Sequence, residues 1–181
     1  SEGMLCSLGE LGYTSAGSKG IVHLHPEAPL TAPWSVYLEH GDVLYHLDIT
    51  PNRGDLMSMS GIWREFQRAL GPDSKPKAPA WTGQKHQVFS ANLGEAPYST
   101  LPAIEVQSSE VGDFFLAKIE GVRQTNILPD WMRFRLLDAK ISLHGGVVDI
   151  LNYVMLETGQ PMHAYDAEYT GAYFSCKMGQ E

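Results

Sequence analysis

The segment Asn152–Asp166 constrains the fold more than any other part of the chain. Val147, Ile150, Leu151, Val154 and Met155 lead through it at three- and four-residue steps, the spacing of one apolar helix face. Gly159, Gln160 and Pro161 then stop that helix. Pro161 has no amide proton to donate, and it pushes the residue before it out of the helical region. His163 follows at once. A helix halted so abruptly aims an imidazole at a fixed place beside its own end.

The rest of the chain reads as mixed strands and helices without regular alternation, which argues an α+β fold. Residues 20–25 and 43–49 alternate like short strands, and Ile104–Val106, Phe114–Ile119 and Ala172–Cys176 are rich in strand formers. Leu56, Met59, Ile62, Trp63, Phe66, Ala69 and Leu70 share one helical face, with Asp55 as the expected cap. Pro129 suits the first position of a third helix carrying Trp131, Phe134 and Leu137, with Asp130 near its positive end. Pro, Ser, Lys, Gly and Ala crowd the stretch after Gly71, with Val88-Phe89 as a possible edge strand inside it. The expected organisation is therefore a unit over 1–75, a linker or crossing segment over 76–100, and a unit over 101–181. Trp63, Phe66, Trp131, Phe134, Val154 and Met155 are the expected core.

Charge limits the function classes. Lys and Arg number 13 against 21 acidic residues, a net charge of −8. Binding to nucleic acid needs clustered Lys and Arg against phosphates, and no such cluster occurs. The chain alone is expected to bind RNA weakly. No apolar run is long enough to span a bilayer, so no membrane role is expected. Cys6 and Cys176 stand far apart with no C-x-x-C spacing, which argues against a zinc site or disulfide framework and for the cytoplasm. The chain opens on Ser1-Glu2-Gly3 and reads as the interior of something longer.

Several residues carry candidate chemistry. His23 and His25 would share one strand face, a thinkable metal pair, but no third ligand is spaced nearby. Thr50-Pro51-Asn52-Arg53-Gly54-Asp55 is a turn that could cradle phosphate or simply connect a strand to a helix. His163 could hold a water or hydroxyl, or anchor its own turn. Asn152 offers donor and acceptor, or is a helix-surface amide. Asp149 and Asp166 could orient an imidazole or cap the backbone.

The wording from Asn152 to Asp166 closely resembles one family, the bacterial-type phenylalanyl-tRNA synthetase β subunit, in its editing region. The resemblance is collinear over nearly the whole chain. Ser1 to Gly12 resembles S-x-G-M-x-C-S-x-x-E-L-G, the close of the family's tRNA-binding OB module. Gly20 to Pro29 is similar to G-I-I-x-L-P-x-D-A-P. Thr50 to Asp55 with Gly61 to Glu65 is similar to T-P-N-R-x-D and G-I-A-R-E. Pro129–Met132 resembles S-P-x-W-L, and Gly171 with the strand after it fits G-G-I-x-V. Two departures stand out. Leu151 replaces a Thr, and Ser142–Gly146 replaces an R-P-x-N segment. Together they remove a hydroxyl, a guanidinium and an amide.

The resemblance implies a parent roughly four times longer, a β subunit in an (αβ)₂ heterotetramer that charges tRNA with phenylalanine using ATP and magnesium. The implied partners are the α subunit and, through the parent enzyme, tRNA. This stretch would run from the OB remnant at 1–12 into the N-terminal part of the editing domain, leaving that second unit truncated. Editing hydrolyses tyrosine wrongly attached to the phenylalanine tRNA, because a pocket for an aromatic ring cannot strongly reject an added hydroxyl. By the resemblance His163 is the catalytic editing histidine and Asn152 the pocket asparagine. The family's Glu and small pocket residues would lie beyond Glu181. The fragment is then expected to be inactive alone, with no metal ligand and no cofactor of its own. Two other function classes fit the same residues: a free-standing aminoacyl-tRNA deacylase, and a decayed, non-catalytic paralogue acting as a binding module. A reading frame much longer than this chain would separate the first reading from the other two.

Overall fold

The computed structural model describes residues 3–13, 20–37, 44–71, 103–107, 109, 114, 116–119, 121–122, 128–171 and 173–177. Their elements run α1 (Trp34–Tyr37), a 3-10 turn (Gly54–Leu56), α2 (Met59–Leu70), β1 (Ala103–Val106), α3 (Asp130–Asp138), α4 (Gly146–Thr158) and β2 (Tyr173–Cys176). The fold is mixed α+β, as the sequence pattern implies.

The chain gathers into two compact units, neither of them one continuous stretch. The first takes 1–71 with 124–164, and the second takes 72–123 with 165–181. Packing accounts for the first grouping: α4 lies against both α2 and α3, which ties residues 124–164 to the N-terminal part of the chain. The expected linker 76–100, with Val88-Phe89, falls outside the described residues.

The core of the first unit joins a turn near the N-terminus to α3. Leu8, Tyr13, Phe134 and Leu137 are buried together, with Leu11, Val22, Trp34 and Leu143 packed around them. Phe134 is the hub, 5.1 Å from the Tyr13 ring and 4.9 Å edge-on from Trp34. The turn holds its shape through a reciprocal pair. The Ser7 amide and hydroxyl donate to Glu10 Oε2 at 2.8 and 2.9 Å, and the Glu10 amide returns a bond to Ser7 Oγ at 3.3 Å. The Ser7 amide, then its hydroxyl, hold the Glu10 carboxyl below its usual range. Burial, aided by the Asp138 charge, pushes the Tyr13 phenol up.

Of the six residues expected in the core only Phe134 is buried. Trp63, Val154 and Met155 are half-buried, while Phe66 and Trp131 are exposed at 56% and 48%. α2 buries little of its apolar side: it meets α4 through Ser58 and Ser60 at its N-terminal end, while Met59, Phe66 and Leu70 are exposed. Trp131 sits at a rim, edge-on to Tyr153 at 5.4 Å with the Arg135 guanidinium 5.5 Å over its ring.

Helix ends account for other differences. Ser58, not Asp55, caps α2, its hydroxyl accepting the Gly61 amide at 3.1 Å. Pro129 occupies the cap position of α3 rather than its first turn. The far end of α3 closes with a paired motif: Ile141 N–H reaches Leu136 O and Lys140 N–H reaches Leu137 O, both at 2.9 Å. Lys140 stands in the left-handed region at φ 60°, where glycine is the usual choice.

In the second unit β1 and β2 pair in parallel, Ala103 opposite Tyr173 through Val106 opposite Cys176. Gln107 N–H extends the ladder to Cys176 O at 2.8 Å. Residues 20–25, 44–49 and the described part of 114–119 do not form strands. Alternation gives a chain two faces but not a neighbour to bond with. Val22 N–H to Cys6 O, at 2.9 Å, is a single rung beside the first of these segments.

Candidate functional site

The end of α4 is built to turn sharply. Gly159 takes the left-handed conformation, φ 81° and ψ 2°, and its amide closes the helix on Met155 O at 2.7 Å. Thr158 secures both sides of the exit: its hydroxyl donates to Val154 O at 2.7 Å and accepts the Gln160 amide at 3.2 Å. The turn also packs on the start of α2. Ser60 Oγ donates to Thr158 O at 3.3 Å, and a Cβ on Gly159 would stand 3.0 Å from Ser58 Cβ and Oγ. His163 lies on the exposed stretch just beyond, and Asn152 is half-buried in α4, less than about two turns from its end.

The carboxylates near this region are structural. Asp149 is 1% exposed and accepts the amides of His144 at 2.8 Å and Gly145 at 2.9 Å, tying off the start of α4. Asp166 accepts the Glu168 amide at 2.9 Å and closes its own turn. Neither serves an imidazole through these bonds. The Ser142–Gly146 departure thus has a local logic. Gly145 and Gly146 both carry positive φ, 98° and 54°, and the Gly145 amide is one of the two that Asp149 accepts.

The T-P-N-R-G-D turn is occupied by its own charges. Arg53 grips Asp55 in a fork, Nε to Oδ1 at 2.9 Å and an Nη to Oδ2 at 3.0 Å, and reaches Glu65 in α2 at 2.8 Å. A guanidinium so engaged does not wait for phosphate, and the turn-to-helix connection is the role shown. Bonds from Arg53 hold the Asp55 and Glu65 carboxyls below their usual range and keep Arg53 firmly protonated. Carboxylates depressed in the folded state contribute above their unfolded pKa and lose the contribution as pH falls through the folded one. The tie should therefore be complete at neutral pH and fail below about pH 4. Carboxylate titration by NMR should find both midpoints low in the parent and ordinary in Arg53→Met. Equal midpoints in the two proteins would refute the tie.

Two open clefts, about 440 and 360 Å³, flank Asp130 in the first unit. They involve His25, Glu27, Tyr37 and Trp131 on one side and His23, Arg133 and Asp149 on the other. His163 and Asn152 line neither. Asp130, 2% exposed, is the knot between them. It accepts the His25 amide at 2.7 Å and the Tyr37 hydroxyl at 2.9 Å, with Arg133 at 3.5 Å. Burial first, then this hydrogen bond, raises the Tyr37 pKa. Nothing local in the sequence marks Asp130 as more than a helix start, because its partners are remote in the chain. His25 Nδ1 accepts the Glu27 amide at 3.3 Å, and the His23 backbone carbonyl accepts from Arg133. Among the described residues no cluster of three His, Cys, Asp or Glu side chains is placed to hold a metal. No helix among them is long and apolar enough to cross a membrane.

The α4 turn and the strand that follows fall within a recognised domain: residues 110–180 match the B3/4 domain family. Similarity to whole proteins extends much further. The phenylalanine–tRNA ligase beta subunit of Neisseria gonorrhoeae is 39% identical over 172 residues, 93% of this chain and 20% of that protein. The Photorhabdus laumondii beta subunit is 33% identical over 183 residues, 100% of this chain and 21% of its own length. The Carboxydothermus hydrogenoformans beta subunit is 34% identical over 170 residues, 93% of this chain. The chain is thus related along nearly its whole length to phenylalanine–tRNA ligase beta subunits, and spans about one fifth of the length of these curated relatives.

Proposed function

We propose that this chain serves as part of the β subunit of a cytoplasmic phenylalanine–tRNA ligase. That enzyme joins phenylalanine to its tRNA with ATP and magnesium, as an (αβ)₂ assembly with the α subunit. The chain contributes structure and part of an editing site that hydrolyses tyrosine wrongly attached to the phenylalanine tRNA. By itself it neither charges tRNA nor deacylates it.

The observation that carries the reading is the collinear similarity to beta subunits over nearly the whole chain. The fixed turn at Gly159, with His163 exposed beyond it, supports the chemistry. In the hydrolysis a water oxygen adds to the ester carbonyl carbon, the ribose oxygen departs with a proton, and tyrosine is released. His163 holds the water or the departing ribose hydroxyl, since an imidazole can both accept and donate. Asn152 offers its amide to the ammonium or the phenol hydroxyl of the misplaced tyrosine. Leu151 brings no hydroxyl beside it, so His163 carries more of the positioning of water.

The test uses the full-length ligase that carries this segment, with its α subunit, on tyrosine-charged phenylalanine tRNA. His163→Ala should slow deacylation by about a hundredfold or more while leaving phenylalanine charging intact. Deacylation that persists unchanged in that variant would remove His163 from the mechanism.

A further inference from the structure

The turn that presents His163 is not held by α4 alone. Two contacts at its root, linked to each other, come from the beginning of α2, in a part of the chain about a hundred positions earlier. Ser60 Oγ donates to Thr158 O at 3.3 Å. Ser58 Oγ lies 3.1 Å from Ser60 Oγ. The Ser58 side chain fills the space a Cβ on Gly159 would need. The last carbonyls of a helix have no partner within it, so the Ser60 hydroxyl satisfies an otherwise open acceptor at the point where the chain leaves α4. The two helix ends also complement each other: the positive N-terminal end of α2 faces the negative C-terminal end of α4.

We infer that Ser60 is a positioning residue for His163, acting through Thr158 and the Gly159 turn; the inference rests on the editing reading above. Thr158 is the relay. Its carbonyl takes the Ser60 hydroxyl, while its own hydroxyl holds Val154 O on one side and the Gln160 amide on the other. Pro161 then fixes the next backbone angle. From Thr158 to Pro161 little freedom remains in the direction that delivers His163. Without Ser60 the carbonyl of Thr158 must find water, and the exit of the turn gains a second orientation. The T-P-N-R-G-D and G-I-W-R-E segments thereby acquire a role in the site. Arg53 ties the preceding turn to Glu65 in α2, which holds the Ser58–Ser60 edge in place.

The test compares Ser60→Ala and Ser60→Thr in the full-length ligase with its α subunit. Ser60→Ala should lower kcat for deacylation by about tenfold with KM unchanged, because a misplaced catalytic group costs rate rather than binding. Ser60→Thr keeps the hydroxyl and should restore the rate. In parallel, labelling of His163 by diethyl pyrocarbonate, followed by peptide mass spectrometry, should rise about threefold in Ser60→Ala while His23 labelling stays constant. Unchanged kcat and unchanged His163 labelling would overturn the inference. So would a fall in melting temperature with kcat, KM and every histidine label moving together, which marks a merely structural residue. If the parent enzyme shows no deacylation at all, the editing reading fails, and His163 labelling alone then decides whether Ser60 positions the turn.

Discussion

Gly61→Ala is expected to destabilise the first unit by about 3 kcal/mol, read as a lower urea midpoint at unchanged slope. The cause is a contact no side chain can survive. A Cβ at this position would overlap the Asp55 carbonyl oxygen and lie 2.8 Å from its carbon. Both atoms are backbone, so no rotamer change relieves the clash; the 3-10 turn must lift off α2. Lifting it also pulls Arg53 from Glu65, since that ion pair bridges the turn to the helix. Gly54 is the internal control. Nothing lies near its Cβ position, so Gly54→Ala should change stability by less than about 0.5 kcal/mol. Equal effects of the two substitutions would show that the turn does not seat on the helix as described.

Phe134→Ala should cost still more, about 4 kcal/mol, because it empties the centre of the core rather than an edge. The ring is 3% exposed, contacts Tyr13 and Trp34, and has the Arg133 guanidinium 5.2 Å over its face. Its loss opens a cavity bounded by residues from three separate parts of the chain. Trp34 fluorescence should shift to the red as water reaches the indole. Phe134→Leu, closer in volume, should cost less than about 1.5 kcal/mol and leave the emission nearly in place. A mild Phe134→Ala would mean that residues 8–13 and 34 do not depend on α3.

What the sequence disclosed, and what it hid, follows the range of the forces. The presence of α2, α3 and α4 was legible because a helix is written in steps of three and four residues, and the stop at Gly159 and Pro161 was legible for as local a reason. Which side chains the helices bury was not, since Leu136 and Asp149 are fully buried while Phe66 and Trp131 stand exposed. Strand character was legible at residues 104–106 and 173–176, which pair with each other; the alternation at 20–25 and 44–49 does not say whether a partner is at hand, and among the described residues neither segment forms a strand. The knot at Asp130 was hidden because its partners, His25 and Tyr37, come from a distant stretch. Ser58 and Asp55 both suit the cap position by residue type, and the choice between them depends on where the 3-10 turn ends. At the candidate site, family wording pointed to His163 and Asn152. The fit of Ser58 and Ser60 against the turn is a meeting of two helix ends, which neither end spells out alone.

The parallel pairing of β1 with β2 has a consequence for the order of folding. The chain between Val106 and Tyr173 contains α3 and α4, both of which belong to the other unit. Left slack, so long a loop closes slowly, because its entropy must be lost before any ladder bond compensates. Packing of residues 124–164 within the first unit removes most of that loop's freedom before the strands meet, so the assembly of that unit should set the pace at which they find their register. Substitutions that slow the gathering of α3 and α4 should delay β1–β2 pairing as well, although they touch neither strand.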